Sequence, residues 1–182
     1  MISCSIRDNH EQTQRQSEAK HALGDTSALF IDICALSKLS IDSTRQLVSI
    51  NIDSILSSIH RDDRAEDCLF DIVDNISMAQ SQSALETLDL LAAKSDGSLS
   101  EYLLDVSVRM YENNLPSLIT YLRSNPDCPL SEVLVDGLSM RISLENIPKQ
   151  TLLLEGITKL DGSEEKEYLR EVFDKVDPEK FD

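Results

Sequence analysis

The carboxylates of Asp62-Asp63-x-x-Glu66 are the side chains in this sequence with the spacing best suited to metal chemistry. Oxygen ligands one helical turn apart could gather a divalent cation such as Mg²⁺. A working site of this kind needs a second acidic cluster on another helix, and no such cluster is evident in the sequence. We therefore expect the solvated start of a helix here, with no metal and no cofactor, and a metal-dependent activity is the one enzymatic alternative.

Groups for acid–base or covalent catalysis are also sparse. His60-Arg61-Asp62 begins like a kinase catalytic loop, but the asparagine that such a loop requires is missing and the chain has no glycine-rich phosphate loop. Of the three histidines, His10 and His21 fall in a polar N-terminal stretch. A positioned nucleophile with its base cannot be assembled from these residues. We predict no catalytic residues and a protein that is not an enzyme.

The four cysteines are Cys4, Cys34, Cys68 and Cys128, and none forms a Cys-x-x-Cys pair. This spacing does not indicate zinc or redox motifs. Cys34 and Cys68 lie within apolar helical runs, so we expect two buried free thiols that act as small hydrophobic side chains. The N-terminus lacks the apolar core of a signal peptide. Together these features predict a cytoplasmic protein.

A row of carboxylates on one predicted helix is the best candidate for a functional surface. The segment 62–79 places its apolar residues on one helical face and four aspartates in an arc of roughly 80° on the opposite face, counting about 100° per residue. Phe70 projects beside that row. Carboxylates steer a basic partner and an aromatic ring supplies area that loses water on contact. The predicted partner-binding residues are Asp63, Asp67, Phe70, Asp71 and Asp74.

The charge of the whole chain favours the same kind of partner. The formal net charge is −16, from 17 Lys and Arg against 33 Asp and Glu. Such a surface repels nucleic acid phosphates and anionic membranes, whose binding depends on basic side chains. No apolar run approaches the roughly 20 residues of a membrane span. We expect a basic protein partner, no direct nucleic acid and no membrane, although acidity can also serve solubility alone.

The elements that carry these residues are predicted to be helices throughout. Apolar residues recur with helical spacing, and no alternating strand pattern has a useful length. Caps at Ser83, Ser98 and Ser131 open three of roughly nine short helices. The predicted fold is all-α, either a compact irregular bundle or a short HEAT-like helical-repeat stack. Residues 1–24 form a polar N-terminal segment and 25–182 a single helical domain.

Two functions fit a compact acidic helical protein without catalytic groups. The first is a small inhibitor, such as an immunity protein that occupies the basic active site of a toxin or another enzyme. The alternative is a helical-repeat adaptor, regulator or secreted effector scaffold that holds a protein or peptide. The sequence favours the first and leaves the second open.

Overall fold

A computed structural model describes residues 31–59, 64–79 and 81–181 of the chain. Within these residues there are nine α-helices, one short 3₁₀ helix at Pro178–Phe181 and no β-strand. The all-helical prediction is therefore confirmed. The helices are α1 Ile33–Leu36, α2 Ile41–Ile59, α3 Ala65–Ser77, α4 Gln82–Lys94, α5 Gly97–Asn113, α6 Leu115–Ser124, α7 Pro129–Glu145, α8 Lys149–Thr158 and α9 Ser163–Lys175.

The chain divides into two compact units, residues 1–72 and residues 73–182, with the boundary inside α3. The predicted polar segment 1–24 lies outside the described residues. The prediction of one domain over 25–182 is not tested and stays a prediction.

In the first unit, a short helix and a long helix are joined by a tight connection. The Asp32 side chain caps α1 by accepting a hydrogen bond from the Ala35 N–H at 3.0 Å. The buried Thr44 hydroxyl on α2 donates to the Leu36 carbonyl at 3.0 Å. This hydrogen bond gives a partner to one of the last carbonyls of α1, which have none within the helix. Asn51 has non-helical dihedrals and kinks α2. The apolar residues buried in this unit include Ile33, Leu36, Val48, Ile52, Ile55, Ala65, Leu69 and Ile72.

In the second unit, α5 and α7 pack closely against each other. Ser107 donates to the Val133 carbonyl at 3.2 Å, and further along both helices Arg141 pairs with Glu112 at 2.5 Å. Gly137 permits the approach, because a Cβ atom there would lie 2.7 Å from the backbone oxygen of Leu104 on α5. Only a glycine leaves room for a backbone contact this short.

The C-terminal helices pack through buried aromatic side chains. The Tyr111 hydroxyl on α5 donates to the Leu152 carbonyl on α8, and the Tyr168 hydroxyl on α9 donates to the Leu122 carbonyl at 3.1 Å. The Tyr111 and Phe173 rings lie 6.0 Å apart between centroids. These contacts give each buried hydroxyl a partner, which is the usual condition for burying tyrosine in a core.

Three helices have their N-cap two or three residues before the predicted one, at Ser81, Asp96 and Cys128. Ser81 rather than Ser83 caps α4, accepting from the Ala84 N–H at 3.2 Å. Helix α5 begins at Gly97, one residue before Ser98, and α7 begins at Pro129. Ser131 is instead buried inside the first turn of α7. The polar residues that signal a cap recur within each stretch, so spacing alone does not select among them.

Candidate interaction surface

Helix α3 separates an apolar face from an acidic one, as its sequence periodicity predicts. Ala65 and the larger aliphatic residues Leu69, Ile72, Val73 and Ile76 are buried. Asp67 and Asp71, one turn apart, are exposed. Neither carboxylate forms an ion pair with another described residue. The exposed face of α3 therefore carries two open negative charges. Asp63 lies outside the described residues.

Asp74 differs from these two aspartates, because its carboxylate already has a cationic partner. Arg109 on α5 donates to its Oδ1 atom at 2.5 Å. The same guanidinium lies 5.4 Å from the centroid of the Tyr102 ring, within the range of a cation–π contact. Burial, together with a hydrogen bond to Asp74, raises the pKa of Tyr102 above its ordinary value. A basic partner would have to compete with Arg109 for Asp74, so this residue contributes less charge to the row than the sequence predicts.

Phe70 is half-buried and has an interaction partner in the structure. Its position on α3 places it between Asp67 and Asp71 along the chain. The predicted role of the ring as a contact for a partner stays a prediction.

Cys34 and Cys68 are joined in a disulfide, so the prediction of two free thiols is wrong. The Cα atoms lie 5.0 Å apart and the two residues are 34 positions apart in sequence. Both residues are half-buried rather than fully buried. The bond fastens α1 to the first turns of α3, directly beside Asp67. The acidic face therefore lies on a helix that is covalently anchored within residues 31–72.

A second polar cluster surrounds Cys128, which is a free cysteine. The Asp89 carboxylate on α4 accepts from the Leu130 N–H at 2.8 Å and so caps α7 from 41 positions away. Burial raises the pKa of the Cys128 thiol to about 11, and the nearby Asp89 charge adds to the effect. Burial likewise raises the pKa of Tyr121 to about 12, again with Asp89 contributing. A thiol with this pKa stays protonated at neutral pH and is a poor nucleophile.

The described residues contain no group of three or more His, Cys, Asp or Glu side chains that could hold a metal ion. Asp62 and Asp63 of the Asp62-Asp63-x-x-Glu66 set lie outside the described residues. No helix in the described part of the chain is long and apolar enough to cross a membrane.

Comparisons with protein-family models, with curated proteins and with solved structures find no match to this chain. Sequence reasoning located the open carboxylates of α3 but missed the Asp74–Arg109 pair, the Cys34–Cys68 disulfide and the Asp89 cap. Each joins residues 34 to 41 positions apart, so no local spacing reveals it.

Proposed function

We propose that this protein is a non-catalytic, acidic module that binds a basic protein partner through the exposed face of α3. The observation that carries the proposal is the pair Asp67 and Asp71, exposed one turn apart and without an ion pair among the described residues. Like charges at this spacing weaken a helix. These two carboxylates therefore lower the stability of α3, and a basic partner can restore that stability by complementing the charges.

The anchoring of this helix further supports a binding role. The disulfide at Cys68 holds the first turns of α3 in place before any partner arrives. A preformed surface loses less conformational entropy on association than a mobile one. This property suits an inhibitor that must occupy the basic site of a toxin or enzyme, and we favour that role over an adaptor.

The cellular location inferred from sequence, the cytoplasm, stays a prediction, and the disulfide weighs against it. Disulfides persist in oxidising compartments and are rare where thioredoxin and glutathione keep thiols reduced. Non-reducing mass spectrometry of the protein taken from its own cells, quenched with acid and alkylated, decides the point. An intact Cys34–Cys68 bridge at high occupancy would exclude a reduced cytoplasmic state.

The function is tested by reversing the charge of the open pair. The double variant Asp67→Lys/Asp71→Lys is used with the wild type to isolate partners by affinity purification, and each candidate is then measured by surface plasmon resonance. We expect the variant to slow association at least tenfold at low salt, with a smaller loss at high salt, because steering charges act mainly on the on-rate. Phe70→Ala should instead speed dissociation and cost about 2 kcal/mol of affinity.

The matched control is Glu171→Lys/Asp174→Lys, which reverses two exposed acids one turn apart on α9. This control should leave binding within about twofold of wild type. An equal loss in both double variants would show that net charge alone drives association. A loss confined to the α9 variant would move the interface to the acidic C-terminal helix, where Glu164, Glu165 and Glu167 also lie. A partner held at a site distant from any catalytic centre would favour the adaptor role.

A further inference from the structure

The outer surface of the α5–α7 pair carries an apolar groove. Leu144 on α7 is 73 % exposed. Met140, one turn earlier, and Val108 on α5 are half-buried and line the same cavity of about 220 Å³. A single exposed leucine needs no explanation, but three aliphatic or thioether side chains that line one cavity give it an apolar part, which we call the apolar floor of the groove.

The rim of this groove is charged, and its cations are already neutralised. Arg141 pairs with Glu112 at 2.5 Å and with Glu145 at 3.3 Å. Arg109 pairs with Asp74. Burial lowers the pKa of Arg141, but the hydrogen bonds and charges of its two carboxylate partners outweigh this, and the pKa is raised. Both guanidinium groups are therefore fixed by internal partners.

The negative charges of the rim, in contrast, are not all neutralised. Asp105 lines the groove on α5, is exposed, and has no ion pair with any residue in the described part of the chain. Glu112 and Glu145 share a single guanidinium, that of Arg141. The groove thus combines an apolar floor with a net negative rim. The complementary ligand has apolar side chains on one face and positive charges on both sides of that apolar face.

We propose that the α5–α7 groove docks a basic amphipathic helix of a partner protein. The apolar residues of that helix, spaced three and four apart, would cover Val108, Met140 and Leu144, and its lysines or arginines would face Asp105 and Glu145. This is the helix-in-groove mode, in which the apolar stripe gives affinity and flanking charges set orientation. The inference goes beyond the proposed function, because it concerns a different surface and stands whether or not Asp67 and Asp71 contact a partner.

The test uses the full-length protein and a fluorescein-labelled synthetic peptide of about four helical turns, built from leucine and lysine with the leucines on one face. Fluorescence anisotropy should show saturable binding. We expect Leu144→Asp to weaken it at least tenfold and Asp105→Lys to weaken it about threefold with a shallower salt dependence. Both side chains are exposed, so thermal unfolding of the variants should match wild type.

Three controls separate the possible outcomes. Leu154→Asp changes another exposed leucine, on α8, and should leave binding unchanged. A peptide of identical composition with its leucines spread around the helix should bind at least tenfold more weakly. Equal binding of both peptides, or no effect of Leu144→Asp, would overturn the proposal, since charge alone would then explain association. Sedimentation that shows a dimer lost in Leu144→Asp would also overturn it, because the occupant would be a second copy of this chain.

The α3 surface and the α5–α7 groove can be tested separately. Asp67→Lys/Asp71→Lys changes no residue of the groove and should leave peptide binding within about twofold of wild type. A natural partner that is sensitive to the α3 variant and insensitive to Leu144→Asp would support the proposed function alone.

Discussion

In residues 31–72 a disulfide joins α1 and α3 through two cysteines 34 positions apart, whereas in residues 73–181 the close approach of α5 and α7 depends on a glycine. The first unit has only α1, α2 and the start of α3 among its described elements. A small unit buries a smaller share of its surface on folding and gains more from a cross-link. The second unit has enough helices to cover one another, so its stability comes from packing.

The comparison shows that an acidic surface can be supported in two ways. The disulfide links the first turn of α3, which carries Asp67, to α1. In the second unit, the carboxylates that rim the groove are instead balanced in part by Arg141. We therefore expect reduction of the disulfide to affect the α3 surface, and displacement of α5 or α7 to affect the groove.

The largest expected effect comes from breaking the covalent link. A disulfide that closes a loop of 34 residues stabilises the folded chain by about 4 kcal/mol in the chain-entropy model. The double variant Cys34→Ser/Cys68→Ser should therefore lose protection of its amide hydrogens within residues 31–59 and 64–72. Hydrogen exchange followed by mass spectrometry measures the protection of amide hydrogens in both units in one experiment. Protection in residues 97–175 should stay near wild type, and an equal loss there would contradict the comparison.

A smaller effect is expected from crowding the α5–α7 crossing. In Gly137→Ala the new methyl would meet the Ser107 Oγ atom at 2.5 Å and the Leu104 backbone oxygen at 2.7 Å. We expect a loss of about 2 kcal/mol in the free energy of unfolding, because the strain exceeds the gain in helix propensity. Urea denaturation measures it.

The control for this change is Gly97→Ala. Gly97 has a φ of +50°, and no heavy atom lies within 4 Å of the place that an alanine methyl would take, so only backbone strain of about 1 kcal/mol is expected. A milder effect at Gly137 than at Gly97 would show that α7 can shift away from α5 at little cost.

The smallest effect concerns the free thiol of the second unit. Because burial raises the pKa of Cys128 to about 11 from an ordinary value of 9.0, the folded state favours the protonated thiol. Its contribution to stability is present below about pH 9 and is lost as the pH rises toward 11. The rate at which iodoacetamide alkylates Cys128, followed by mass spectrometry of the peptide that contains it, should increase over the same interval. Cys34 and Cys68 should stay unlabelled without a reductant.

Two comparisons check the titration. Cys128→Ser should unfold in urea with a weaker pH dependence between pH 9 and 11 than wild type, the remaining dependence being due in part to Tyr121, whose pKa is raised to about 12. Asp89→Asn removes a charge that raises the pKa of the thiol, so alkylation should accelerate at a lower pH. A rate that already levels off near pH 9 in wild type would mean that the thiol is not held in its protonated form.

The sequence by itself determined the class of fold and the two faces of α3. Helical periodicity is a local property, repeated every three to four residues, so the burial of Leu69, Ile72 and Ile76 and the exposure of Asp67 and Asp71 could be predicted from spacing. The first residue of each helix could not be predicted from spacing, because several polar residues near each start can cap a first turn.

Only the tertiary structure decided which distant side chains meet. The pairing of Cys34 with Cys68 and of Asp74 with Arg109, and the meeting of Val108 with Leu144 in one groove, join residues more than 30 positions apart. Local spacing fixes the direction in which a side chain leaves its own helix. The neighbour it meets depends on how the helices cross, and that depends on the packing of the whole unit, including the space left by a single glycine.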